Sequence, residues 1–152
     1  MSDRSESEQV ELANVALREE MLRYNVITDS ADKYALVRKL ALCKVLVPVF
    51  PNTEDADEMP IFGTLYKHDK GVELYVYTSV TLIPDTCEAP VVVFYPIVDL
   101  IKDIITQGEI TVLRVDPGTD HGVGFLFKNG QPAMFRLKRM EDMLQQQARE
   151  QE

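Results

Sequence analysis

The sequence predicts an α+β fold: a mixed β-sheet of about five to seven strands with a β-α-β unit, N-terminal helices and a C-terminal helix. Three features lead to this prediction: an apolar stripe at helical spacing in 97–105, apolar runs on both sides of it, and short glycine-containing turns between further apolar runs. With 152 residues, the chain is expected to be a single domain. We expect a polar leader at 1–8, a core at 30–137 and a C-terminal helix at 138–150.

The β-α-β prediction comes from the stretch 90–115. The apolar run at 91–95 does not alternate in polarity, so both of its faces are expected to be covered. A helix is predicted at Pro96–Gln107, with Gly108 at its C-terminal cap. A right-handed crossover would place the run at 110–115 parallel to the first strand in the same sheet. The apolar face of this helix comprises Ile97, Leu100, Ile101, Ile104 and Ile105.

Two helices are predicted before the first strand. The stripe of the first helix could cover the sheet or dock on a second copy of the chain, and it comprises Val10, Ala13, Leu17, Met21 and Tyr24. The second helix runs from Asp32 to Ala41, with Asp29 or Ser30 as its N-terminal cap. Its predicted apolar face comprises Tyr34, Val37, Leu40 and Ala41.

The remaining elements are a strand and two hairpins. Lys44–Phe50 is predicted to be a strand with an edge position or a bulge at Pro48, which cannot donate to a ladder. One hairpin is predicted with arms at 61–67 and 72–77. The second turns at Asn129-Gly130, a strong hairpin signal between apolar runs. Thr78 or Ser79 is expected to cap a short helical turn.

The loop Asp116–Gly122 is the candidate binding loop. Its glycines would allow successive backbone N–H groups to point toward one position, a geometry that favours anions. The alternative is a tight connection into the next strand. The glycine spacing differs from that of a dinucleotide-binding fingerprint. The candidate residues are Asp116, Pro117, Gly118, Thr119, His121 and Gly122.

A hydrolase that uses this loop would need a nucleophile within reach of its histidine. His121, oriented by Asp120, could activate Ser79 or Thr119 as the nucleophile. No Gly-x-Ser-x-Gly motif supports this hydrolase hypothesis. The two histidines and two scattered cysteines lack the paired spacing of a zinc site. We therefore expect no enzyme activity, no metal and no cofactor.

A group of aromatic residues on the first hairpin could serve either of two roles. It could form an exposed contact patch, because tyrosine suits interfaces, or it could form a second layer of core under the N-terminal helix. The group comprises Phe62, Tyr66, Tyr75 and Tyr77. The candidate contact residues are Tyr75, Tyr77, Thr78 and Ser79.

Composition restricts the classes of partner. The net charge of -9 argues against nucleic acid, because a phosphate backbone would be repelled. No apolar run approaches the length of a membrane span, so no membrane association is expected. The first eight residues are polar and acidic and do not resemble a secretory signal, and the cysteine usage fits reduced thiols, so a cytoplasmic location is expected.

Four segments together resemble the N-terminal domain of the SseB family, bacterial proteins named for enhanced serine sensitivity. They are Leu46-Val47-Pro48-Val49, Val76-Tyr77-Thr78-Ser79, the helix containing Leu100, and Val115-Asp116-Pro117-Gly118 with Gly122 beyond. The resemblance covers about residues 34–125. It departs at Tyr77, where phenylalanine is usual, and at Asp116, where asparagine is usual. The resemblance does not extend to the second domain that fuller members carry.

The resemblance implies no established catalytic residue and no cofactor. Together with the absence of a catalytic constellation and the possible tyrosine-rich hairpin face, it leads us to expect a non-enzymatic cytoplasmic module. Such a module would bind a protein partner, have a regulatory role or associate with itself as a homodimer. The alternative is a small-molecule or anion sensor, or a weak hydrolase, that uses the 116–122 loop.

Overall fold

A computed structural model describes residues 6–26, 30–50, 61–69 and 71–137. The predicted C-terminal helix at 138–150 lies outside these residues, whereas the end of the predicted leader is already helical. The elements are α1 Glu6–Val26, α2 Ser30–Leu40, β1 Lys44–Phe50, β2 Ile61–Phe62, β3 Leu65–His68, β4 Gly71–Val76, a 3₁₀ helix at Val80–Leu82, β5 Val91–Pro96, α3 Ile97–Gln107, β6 Val112–Val115, β7 Val123–Lys128 and β8 Gln131–Arg136.

The strands form two sheets that meet at one bridge. A mixed five-stranded sheet has the order β3-β4-β6-β7-β8, and a three-stranded antiparallel sheet has the order β2-β1-β5. Leu46 and Tyr77 join them: the Leu46 N–H donates to the Tyr77 carbonyl at 2.7 Å, and the Tyr77 N–H donates back at 3.1 Å. The predicted α+β class with a mixed sheet is confirmed.

The predicted pairing of the strands around α3 is wrong. β5 pairs antiparallel with β1 along its length, whereas β6 pairs parallel with β4. The two strands therefore lie in different sheets, and the parallel crossover runs from β4 to β6 through the 3₁₀ helix, β5 and α3. The expected coverage of both faces of β5 is also wrong, because Val91 is 40% exposed, the rest of the strand is only partly buried, and β5 lies at the edge of its sheet. An apolar run carries no information about which strand lies beside it, and β1 offers β5 a full-length ladder.

Helix α3 agrees closely with its prediction. Ile97, Leu100 and Ile104 are buried, and Ile101 is partly buried against the main core. Gly108 adopts φ 72° and donates its N–H to the Ile104 carbonyl, so it caps the helix as predicted. The helix begins at Ile97 rather than Pro96, because Pro96 completes β5.

The buried faces of the two N-terminal helices differ in part from those predicted. Asn14, not Ala13, completes the buried face of α1, and Ala13 is exposed. In α2 the buried residues are Leu36 and Leu40, while Val37 and Ala41 are exposed; the Tyr34 side chain lies outside the described part. The inner face of α1 comprises Val10, Asn14, Leu17, Met21 and Tyr24.

Pro48 lies in a strand with neighbours on both sides, so the predicted edge position is wrong. Because alternate residues of a strand direct their backbone groups to the same side, Pro48 and Leu46 both face away from β5. On that side Leu46 pairs with Tyr77, and the Pro48 carbonyl accepts the Gly63 N–H at 2.8 Å. On this side of β1, the missing N–H of Pro48 thus lies where the neighbouring segment changes from the one containing Tyr77 to the one containing Gly63.

The predicted turns are confirmed. The β7–β8 hairpin turns at Asn129 (φ 54°) and Gly130 (φ 76°), the two positive angles of a type I′ turn. The β3–β4 hairpin closes at the His68–Gly71 pair, although its first arm is interrupted before β3. Ser79 caps the 3₁₀ helix by accepting the Thr81 N–H.

Candidate functional site

The candidate site lies where two parallel strands end side by side. β4 and β6 pair up to Val76 and Val115, and the segments that follow them meet immediately beyond. The N–H of Asp116 donates to the Val76 carbonyl at 2.9 Å, which starts this junction. The structure thus brings Thr78 close to the 116–122 loop, although the two are well separated in sequence.

Asp116 is the centre of this junction. Its side chain is fully buried, with 0% exposure, and its φ of 54° lies in the left-handed region that aspartate tolerates better than most residues. Oδ1 accepts the Thr78 N–H at 2.8 Å, and Oδ2 accepts the Thr78 hydroxyl at 2.5 Å. Nε2 of His121 lies 2.8 Å from Oδ2. We call Asp116, Thr78 and His121 the carboxylate bridge.

The loop around the bridge is a compact turn. The Thr119 hydroxyl donates to the Asp116 carbonyl at 2.8 Å, and Gly118 adopts φ 82°. A Cβ at Gly122 would lie 2.7 Å from the Asp116 carbonyl oxygen, so only glycine fits there. Pro117 lies between these residues in the turn. These close internal contacts are those of a tight connection into the next strand, β7.

Helix α1 supplies three polar side chains to the same region. Asn14 Nδ2 donates to the carbonyls of Thr78 at 3.0 Å and Lys44 at 2.9 Å. Arg18 Nη1 donates to the Thr78 carbonyl at 3.1 Å. Glu11 Oε1 accepts the Ser79 hydroxyl at 3.2 Å and the Val80 N–H at 3.0 Å.

Sequence reasoning missed these three residues of α1. The available signal was Asn14, which stands one helical turn after Val10 on the side that faces the core. A polar residue at such a position needs a buried hydrogen-bond partner, and here the partners are backbone carbonyls of distant segments.

The bridge does not have the connectivity of a hydrolase triad. In a triad the imidazole contacts the nucleophile and the carboxylate contacts the imidazole. Here the Thr78 hydroxyl donates directly to Asp116, and the Ser79 hydroxyl donates to Glu11. Within the described residues, no cluster of three or more His, Cys, Asp or Glu side chains could hold a metal ion.

The hairpin tyrosines divide between core and surface. Tyr77 is only 2% exposed and packs with Val10 and Leu46 in a second, smaller core cluster; its burial raises the pKa of its phenol. Phe62 packs against the main core. Tyr66, by contrast, is 46% exposed. The second-layer interpretation therefore holds for Tyr77, which is not available to a partner, and the surface interpretation holds for Tyr66.

Tyr66 belongs to an ordered group on the face of the five-stranded sheet that is opposite the main core, where Tyr75 also packs against the smaller core cluster. Its ring lies 4.6 Å from that of Tyr75, centroid to centroid, and the Arg114 guanidinium lies 6.0 Å from the Tyr75 centroid. Glu73 accepts from Arg114 Nε at 2.6 Å and contacts His68 Nε2 at 2.8 Å. We call Tyr66, Glu73, Tyr75 and Arg114 the tyrosine–arginine face.

The strand register extends this face across the sheet. Tyr75 is aligned with Arg114 on β6, Arg114 with Gly124 on β7, and Gly124 with Phe135 on β8. Leu126, two residues beyond Gly124 on the same side of β7, is 43% exposed. The same side of the sheet thus continues from Tyr66 on β3 to Phe135 on β8.

Comparison of the chain with protein-family models, curated proteins and solved structures finds no match. No helix within the described ranges is both long and apolar enough to cross a membrane. The carboxylate bridge and the tyrosine–arginine face are therefore the two features of the molecule that bear on its function.

Proposed function

We propose that this protein is a non-enzymatic, cytoplasmic protein-binding or regulatory module, and that the tyrosine–arginine face is its contact surface. The observation that carries the proposal is the half-exposed Tyr66 beside Tyr75, whose ring also lies near Arg114. Tyrosine and arginine are enriched among the residues that contribute most to protein–protein affinity.

The geometry of the face favours binding because its side chains are already ordered. Glu73 fixes Arg114 through a 2.6 Å contact between two side chains that are each 14% exposed. Tyr75 is held between Tyr66 and Arg114. Ordering these groups before a partner arrives reduces the entropy lost on binding. Since Glu73 compensates the charge of Arg114, the face suits an apolar partner surface with hydrogen-bonding groups.

The carboxylate bridge supports this face from one end. Glu73 and Tyr75 are on β4 and Arg114 is on β6, and the bridge joins the segments that leave these two strands. In this proposal Thr78, Asp116 and His121 hold the strands in position and do not contact the partner. The predicted contact set therefore changes. Tyr66 and Arg114 join Tyr75, whereas Tyr77 serves the core and Thr78 serves the carboxylate bridge.

Membership of the SseB N-terminal type remains part of the proposal. It is supported by the meeting in space of three separate sequence motifs that suggested it. Leu46 exchanges backbone hydrogen bonds with Tyr77, and Thr78 donates twice to Asp116. The anion-sensor alternative has less support, because the carboxylate of Asp116 occupies the centre of the loop and would repel an anion.

Site-specific photo-crosslinking in the host cell tests the proposed surface. A photoreactive amino acid at Leu126, on the same side of the sheet as the tyrosine–arginine face, should give a discrete adduct with another protein. The same group at Val37, an exposed position on α2, should not give that adduct. Tyr66→Ala should then reduce the Leu126 adduct by at least about tenfold, the effect of losing about 1.4 kcal/mol at one contact residue.

The matched control is Val37→Ala, which removes a similarly exposed apolar side chain away from the face and should leave the Leu126 adduct unchanged. Circular dichroism should show that both variants are folded. Identical adducts from Leu126 and Val37, or an adduct that Tyr66→Ala does not weaken, would contradict the assignment of this face.

A further inference from the structure

Helix α1 carries apolar residues on two opposite sides. Its inner side contacts the sheets, as described above. On the outer side Leu12 is 58% exposed, Val15 is 48% exposed and Leu22 is 45% exposed. These residues, with Glu19 between them, recur at intervals of three and four, the spacing of a helix-pairing seam. We call Leu12, Val15 and Leu22 the outer stripe.

A surface groove extends the outer stripe toward α2. The groove has a volume of about 320 Å³ and is lined by Leu12, Ala13, Ala16, Lys39, Leu42 and Cys43. Leu42 is 89% exposed, the most exposed large apolar side chain among the described residues. The small side chains of Ala13 and Ala16 would let another helix approach α1 closely.

The outer stripe can pack against the outer stripe of a second copy when the two helices run antiparallel. Leu12 and Leu22 lie at equal distances in sequence from Leu17, and so do Val15 and Glu19. In an antiparallel pair centred there, Leu12 of each copy faces Leu22 of the other. A two-fold contact requires this kind of self-complementarity, because the same patch serves both subunits.

The charges along α1 also favour the antiparallel arrangement. The first turn contains Glu6 and Glu8, and the last turn contains Arg23. Glu8 and Arg23 are both exposed and lie about 22 Å apart along the helix axis. Reversing one helix about Leu17 brings Glu8 of each copy to within about 4.5 Å of Arg23 of the other along the helix axis, whereas a parallel pair would place like charges together.

We infer that α1 pairs antiparallel with α1 of a second copy of this chain through the outer stripe, forming a two-fold homodimer. Glu19 lies at the level of Val15 of the second copy, so a carboxylate sits beside the apolar seam. The dimer is therefore weak and depends on concentration. This interface uses residues of α1 and none of the four residues of the tyrosine–arginine face.

Sedimentation velocity over a range from low micromolar to submillimolar concentration measures the association. The wild-type chain should shift from monomer to dimer, and Leu12→Glu should raise the dissociation constant at least tenfold. Glu8→Arg and Arg23→Glu should each weaken the dimer severalfold at low salt. The double variant Glu8→Arg/Arg23→Glu should restore it, because opposite charges again face each other.

Two controls separate this inference from the proposed function. Tyr66→Ala should leave the dimer constant unchanged, and Leu12→Glu should leave the Leu126 photo-adduct with another protein in place. A wild-type chain that stays monomeric throughout the range overturns the inference. So does a dimer that tolerates Leu12→Glu, or a double charge variant that is no stronger than the single variants.

Discussion

Replacing Asp116 with alanine should be among the most damaging single changes to this fold. The carboxylate is fully buried, accepts two hydrogen bonds from Thr78 and contacts His121. Alanine would leave the buried Thr78 N–H without its acceptor, at a cost of about 1–3 kcal/mol. It would also occupy the left-handed φ of 54° without a side chain that favours it, at about 1–2 kcal/mol more.

The sum is a loss of about 2–5 kcal/mol in the free energy of unfolding. Removing the desolvation cost of a buried charge offsets part of the loss, so we expect a value near the middle of that range. Such a loss is a large fraction of the about 5–15 kcal/mol that stabilises a typical domain. The variant should fold, with a clearly lower urea midpoint.

Asp116→Asn is the informative companion variant. Its amide oxygen can still accept the Thr78 N–H, and asparagine also tolerates the left-handed region. We expect a loss of about 1–2 kcal/mol, since one charged hydrogen-bond arrangement is replaced by a neutral one. Asp85→Ala, which removes an exposed carboxylate from another loop, should change stability by no more than about 0.5 kcal/mol.

Urea unfolding followed by far-ultraviolet circular dichroism measures all three variants. The slopes of free energy against urea should match that of the wild type, because the surface exposed on unfolding is unchanged. A loss below about 1 kcal/mol for Asp116→Ala would refute this reasoning, given the cost expected for a buried unpaired N–H. Equal losses for the alanine and asparagine variants would show that the retained acceptor and backbone preference contribute nothing.

Two further predictions concern alkaline pH and the sheet face opposite the main core. Burial, and then the hydrogen bond to Asp103, raise the pKa of Tyr95 from 10.0 to about 12. As the pH rises, the unfolded chain therefore loses this proton before the folded chain does, and the stabilisation present below pH 10 declines toward pH 12. Tyr95→Phe should make the urea midpoint fall less steeply with pH over this range. An equally steep fall in the variant would contradict the prediction. Gly124→Ala places a Cβ 2.5 Å from the Phe135 ring and should cost about 1–3 kcal/mol. Adding Phe135→Leu should recover part of the loss in the same unfolding assay, and a double variant no more stable than Gly124→Ala would count against the steric cause.

The candidate site was only partly visible in the sequence. The glycine and polar content of 116–122 marked the loop, and the hydroxyl residues after β4 marked Thr78 and Ser79. Their direct contact could not be predicted, because it depends on β4 and β6 being parallel neighbours. The polar residues of α1 were missed for the same reason: Asn14 and Arg18 find their partners in backbone carbonyls far along the chain.

The sequence by itself determined the elements that depend only on residues close together in the chain. Helix α3 and Gly108 follow from apolar spacing and a left-handed cap, the Asn129-Gly130 turn follows from its two positive φ angles, and Ser79 caps the helix that begins beside it. Only the tertiary structure decided that β5 lies beside β1 and β6 beside β4. Backbone hydrogen-bonding groups are the same in every strand, so the choice of neighbour is made by the packing of the whole chain.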